Sequence, residues 1–138
     1  LSDDIIRYSS KGEVFLVGHF NARTQSRQCT IFQMDKNLEM ASVDQLAIGI
    51  TGISKDQVGD TTSFGHHLLE IGSQHQIIIY NSLAKWPSSE ELTCFPHGGG
   101  GSRVGYLIGC PEATHMINSF YIALCPIGDD HSFLYFEL

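Results

Sequence analysis

The chain has 138 residues, enough for one domain with a modest core. Its 42% apolar and 17% charged residues fit a globular rather than a disordered chain, and no apolar run is long enough to cross a bilayer. The net charge of −7 excludes a grip on nucleic acid by overall charge alone, yet leaves room for a phosphate site in which carboxylates hold a metal cation.

The segment Leu1–Ser10 carries Leu1, Ile5, Ile6 and Tyr8 among polar residues. Ser2 followed by Asp3 and Asp4 resembles a helix start, a capping hydroxyl with acids at the positive end of the dipole, and Lys11-Gly12 is its exit. The chain opens Leu-Ser-Asp-Asp, with no initiator Met and no signal-peptide pattern, as a piece of a longer protein would. Val14, Phe15, Leu16 and Val17 then form a continuous apolar run stopped by Gly18, which predicts a strand buried on both faces. That strand delivers His19, Asn21 and Arg23 into a loop, where the sheet fixes their position and the loop leaves them accessible. Period-two spacing points His19 and Asn21 the same way as long as the extended form persists.

From Thr24 to Asp60 no period is sustained, which predicts a long insertion. Within it, Met34, Leu38 and Met40 fit one weak helical turn, and Leu46–Ile50 fits a short strand. Thr61-Thr62-Ser63 offers a helix cap, followed by Phe64, Leu68, Leu69 and Ile71 at helical spacing and by His66, His67 and Glu70 on the other faces. Adjacent helical positions point about 100° apart, so His66-His67 reads as a solvated face and not as a metal pair. Ile77–Tyr80 predicts a second buried strand, ending in Asn81 much as the first ends near Asn21.

Trp86–Glu91 is a turn-rich loop and Thr93-Cys94-Phe95 a short strand. Gly98–Gly101 lacks a following Gly-Lys-Ser/Thr and a helix, so a hairpin connection is the better reading than a phosphate loop. Ser102–Cys110, with Val104, Tyr106 and Ile108 alternating, is the next strand, and Pro111–Met116 is a helical turn opened by proline. Ile117–Leu124 is another strand and Pro126–Asp129 a turn. Asp130-His131 precedes the final strand Phe133–Leu138. The order favours an α/β (α+β) layered fold. The four cysteines are widely spaced with no Cys-x-x-Cys pair, which argues against a zinc ribbon and for free thiols. Together with the absence of Asn-x-Ser/Thr sites, this suggests an intracellular home, nuclear or cytoplasmic.

Three separated signatures carry a resemblance. The first is Gly18-His19-Phe20-Asn21-Ala22-Arg23 after a strand. The second is Phe64-Gly-x-x-Leu-Leu-Glu-Ile, a strand to Asn81, then Phe95-Pro-x-Gly and Ser102-x-Val-Gly105-Tyr106. The third is Asp130-His131 before the terminal strand. Together they resemble the C-terminal half of the endonuclease/exonuclease/phosphatase superfamily, nearest in appearance to the endonuclease domains of LINE-type retrotransposons. The resemblance covers the chain outside the 24–60 insertion. It implies a single partial domain, 1–138, forming half of a four-layer sandwich with a mixed sheet packed by helices.

The implied function is metal-dependent hydrolysis of a phosphodiester, with Mg²⁺ or Mn²⁺ as cofactor and DNA as partner. Asn21 would help hold the phosphate, Asp130 would contribute to the metal, and His131 would stabilise the charge that develops on phosphorus. Arg23 and Asn81 would face nucleic acid. Two positions depart from the pattern. His19 stands where the family has its water-activating Asp, and Gly105 stands where it has the carboxylate that orients the histidine. The metal-binding Glu belongs to an N-terminal half-domain that would precede Leu1. Loss of a general base typically costs ~10²–10⁴ in rate, so the resemblance implies impaired or absent activity. A non-catalytic remnant serving as a binding module and a small-substrate phosphatase are the alternatives.

Overall fold

The computed structural model describes residues 1–25, 27, 32–34, 40–42, 60–83, 85–86, 92–125 and 130–138. The expected strand at Leu46–Ile50, the loop over 87–91 and the turn at Pro126–Asp129 lie outside them. The described elements combine helices with antiparallel sheets in a mixed α/β arrangement.

Helix α1 spans Ser2–Ser9, with Asp3 and Asp4 in its first turn and Ile5 as its buried anchor. The capping residue is Leu1, not Ser2. The Ser2 hydroxyl instead hydrogen-bonds the His75 imidazole at the end of α2 (Ser63–Gln74). Helix α2 begins as the sequence predicts: the Thr62 hydroxyl accepts the Gly65 N–H at 3.2 Å, a cap worth roughly 1 kcal/mol. Leu68 is buried on its inner side, while Phe64, His66 and His67 are exposed.

The central sheet has the order β1–β5–β4, from β1 (Phe15–His19), β4 (Ile78–Ile79) and β5 (Gly105–Gly109). Its pairs are antiparallel, so the expected mixed sheet is not found among the described strands. Strand β5 is buried along its whole length, and its side chains divide the core. Tyr106 and Ile108 join Ile5, Ala22, Leu68, Ile77 and Ile79 beneath the helices. Leu107 joins Ile78, Tyr80, Leu83, Trp86, Ile117 and Phe120 on the opposite face. A hairpin of β6 (Ser119–Ala123) and β7 (Phe133–Glu137) covers that second face through Phe120, Leu134 and Phe136. The layers are therefore helices, central sheet and hairpin.

Several expectations change. β1 is not buried on both faces: Val17 is 49% exposed, and Gly18 lies within the strand instead of ending it. Met34 and Met40 do not share a helical turn; they belong to β2 (Phe32–Met34) and β3 (Met40–Ser42), which pair with each other in register Met34↔Met40. The strand expected over Ile77–Tyr80 is short, because the chain turns into a 3₁₀ segment at Tyr80–Ser82. Thr93-Cys94-Phe95 makes isolated bridges only. The helical turn at Pro111–Met116 is a 3₁₀ helix with proline in its first turn.

Candidate functional site

The site lies where β1 ends. Register pairs His19 with Gly105, the first residue of β5, and the Phe20 N–H continues the ladder to the Val104 carbonyl at 2.8 Å. Next to it, Thr93 accepts the N–H groups of Val104 and Gly105 on its hydroxyl, at 2.9 and 2.8 Å. Cys94 forms antiparallel bridges to Ser102 on one side and to His131 on the other. The Phe95 N–H reaches the Asp130 carbonyl at 2.6 Å, and the Ser132 N–H reaches the Thr93 carbonyl at 3.0 Å. A middle segment thus ties the chain before β7 to the edge of the central sheet. It does so with backbone bonds, which explains how residues so distant in sequence meet.

The meeting is direct. The imidazoles of His19 and His131 lie 4.8 Å apart, centroid to centroid, tilted by 57°. His131 Nδ1 and Asp130 Oδ1 are 2.6 Å apart, and both side chains are part-exposed. An adjacent carboxylate fixes the tilt of an imidazole. His131 therefore has an orienting partner, contrary to the expectation drawn from Gly105. Nor is Gly105 a gap: a Cβ there would lie 2.9 Å from Leu134 Cδ1 and 3.3 Å from Thr93 Cβ and Oγ1. Close packing leaves little room for a side chain at this position.

Asn21 follows in the loop that leaves the same end of β1, exposed and with φ at 51°. The backbone is no longer extended there, so the alternation with His19 is broken. Asparagine tolerates this left-handed conformation better than most residues. The loop beyond is held by Tyr106, whose buried hydroxyl sits 2.8 Å from the Ala22 carbonyl and 2.6 Å from that of Arg103. Arg23 is half-buried, with its N–H on the Thr62 hydroxyl and its carbonyl accepting the Thr62 N–H, both at 3.1 Å. Asn81 is placed otherwise than a nucleic-acid contact requires. It is fully buried, donates to the Gly105 carbonyl at 3.2 Å and accepts the Leu107 N–H at 3.0 Å. Its side chain completes the edge of β5.

Cys94 is the member of this site that motif reasoning missed. Its sulfur, a carboxylate oxygen of Asp130 and a ring nitrogen of His131 all lie within 4.8 Å of one another. No spacing in the sequence announces this, since the grouping is made by two backbone bridges. Burial, and after it the nearby Asp130 carboxylate, holds the Cys94 thiol above its ordinary range. The donor set is one carboxylate, one imidazole and one thiol. Mg²⁺ prefers oxygen ligands in near-octahedral geometry, so these residues do not fit it.

No protein-family model, curated protein or solved structure matches the chain. No helix among the described residues is long and apolar enough to cross a membrane.

Proposed function

We propose that this chain is an endonuclease/exonuclease/phosphatase-type domain of retroelement origin, with impaired phosphodiester hydrolysis. The observation that carries the reading is the convergence of His19 with the Asp130–His131 pair at one rim of the central sheet. The layering of helices, sheet and hairpin is compatible with half of such a sandwich. In this reading Asp130 orients His131 toward the phosphate, and the His131 ring hydrogen-bonds the oxygen on which charge develops. His19 occupies the place of the base that prepares water. An imidazole reaches further than a carboxylate and offers no oxygen to a cation, which accounts for the impairment. DNA is the partner in this reading.

The test is nicking of supercoiled plasmid by the purified chain with Mg²⁺ or Mn²⁺. Slow nicking that falls to background in His131→Ala is expected. Equal rates in the two proteins overturn the hydrolase reading. A second reading, a non-catalytic binding module, is favoured by the crowding around Gly105 and by the misfit of the donor set to Mg²⁺. It predicts DNA binding without nicking.

A further inference from the structure

The donor set that suits Mg²⁺ poorly suits another class of cation well. We propose that Cys94, Asp130 and His131 form a binding site for a divalent cation of the zinc type. Thiolate and imidazole are the ligands that select borderline and soft metals, and a carboxylate completes many such sites. The three donors come from two chain segments pinned together by the Cys94↔His131 bridge and by the Phe95 N–H bond to the Asp130 carbonyl. Their present separations reach no more than 4.8 Å. Ligand atoms around tetrahedral zinc lie about 3.5 Å apart, so closure asks the side chains to draw in by roughly 1 Å.

The Asp130 carboxylate and the His131 ring nitrogen already face one another at 2.6 Å, so a cation entering between them would replace their hydrogen bond. Both side chains are part-exposed, which provides an entry path. Three protein ligands leave a fourth position open on a tetrahedral cation, and the His19 ring lies 4.8 Å from that of His131. Binding deprotonates the Cys94 thiol, and the proton passes to solvent. Cys110 serves as the contrast. It follows the far end of β5, and its sulfur donates to a Glu13 carboxylate oxygen at 2.7 Å. The proposal goes beyond the hydrolase reading and does not depend on it, since it concerns cation choice in the absence of any nucleic acid.

The test uses Co²⁺ as a spectroscopic probe on the purified, reduced chain, followed by Zn²⁺. One equivalent of Co²⁺ should produce the thiolate-to-cobalt charge-transfer band in the near ultraviolet with tetrahedral visible bands. Zn²⁺ should abolish them, and a large excess of Mg²⁺ should not. Cys94→Ser should remove the charge-transfer band, and Cys110→Ser should keep it. His131→Ala should weaken Co²⁺ binding about tenfold or more. Absence of the band in the unaltered chain, or its persistence in Cys94→Ser, overturns the proposal. If Cys94→Ser does not fold by circular dichroism, Asp130→Asn and His131→Ala decide. Both alter part-exposed side chains, and unchanged Co²⁺ affinity in both rejects the site.

Discussion

His19 and His131, one closing β1 and the other just ahead of β7, bring their rings to 4.8 Å. Neither segment hydrogen-bonds the other in a regular strand pair. The contact is made through intermediaries: β1 pairs with β5 at Gly105, Thr93 grips the backbone of Val104 and Gly105, and Cys94 bridges to His131. The geometry of the site thus depends on the short segment Thr93–Phe95 more than on any long element. That segment has few residues with which to resist change, so its buried Thr93 hydroxyl carries much of the positioning.

The first prediction concerns restoring the expected base. His19 is exposed, so His19→Asp should change stability by no more than about 0.5 kcal/mol. It would set a second carboxylate near His131 and bring the donor set closer to what Mg²⁺ prefers. Mg²⁺-dependent nicking should be faster in His19→Asp than in the unaltered chain, with the thermal midpoint nearly unchanged. A gel assay and a thermal melt check the two halves. A variant that melts normally and nicks no faster would place the impairment elsewhere than His19.

The second prediction reverses the intuition for Gly105. Adding a side chain there does not restore a lost partner of His131; it collides with Leu134 and Thr93. Gly105→Ala should cost about 1–3 kcal/mol, the usual range for overpacking, and Gly105→Asp should cost more because it also buries a charge. Leu134 Cδ1 is the tip of a flexible side chain, so Leu134→Ala should relieve part of the penalty. Urea denaturation of the two single variants and the double variant should give a coupling of the compensating sign. Additive effects would show that the crowding lies elsewhere.

Much of the fold was legible because the signals were local. Thr62 caps α2, proline opens the Pro111–Met116 turn, and the alternating residues before the C-terminus form β7, all within a few residues of the cue. Met34 and Met40 misled because sparse apolar residues fit a helical turn as well as two short strands, and cross-strand pairing decided the matter. The site was half legible. His19 and the Asp130–His131 dipeptide stood out as motifs, whereas Cys94 entered only through non-local bridges. Asn81 looked like a counterpart of Asn21 because each follows an apolar run. One is buried against Gly105 and Leu107 and the other is exposed in a left-handed turn, a difference set by what covers each strand end.

Asn81 supplies the third prediction. Its amide satisfies two buried backbone groups, the Gly105 carbonyl and the Leu107 N–H. Leaving a buried polar group without a partner costs about 1–3 kcal/mol each, so Asn81→Ala should destabilise by roughly 2–6 kcal/mol. The readout is the urea midpoint. Intrinsic DNA affinity of the folded fraction should stay unchanged, in contrast to a surface contact, whose removal would weaken binding and spare the midpoint.

The last prediction is alkaline loss of stability. Burial, with smaller contributions from Cys110, Glu13 and Glu112, pushes the Tyr80 phenol far above its ordinary value near 10. Its hydroxyl donates to the Cys110 carbonyl at 2.5 Å. The Cys110 thiol is pushed from 9 up to about 11, first by burial and then by its hydrogen bond to Glu13. In both cases the folded chain holds a proton that the unfolded chain releases at lower pH. The stabilisation is therefore complete below about pH 9 and is lost as pH rises through about 11 and beyond. The urea midpoint should be flat from about pH 7 to 9 and fall above that. Tyr80→Phe should flatten the steepest, most alkaline part of the fall, at the cost of one hydrogen bond. Glu13→Gln should lower the midpoint pH for alkylation of Cys110, because it removes the carboxylate that opposes the thiolate. An alkylation profile that does not move with Glu13 would show that burial alone holds the thiol protonated.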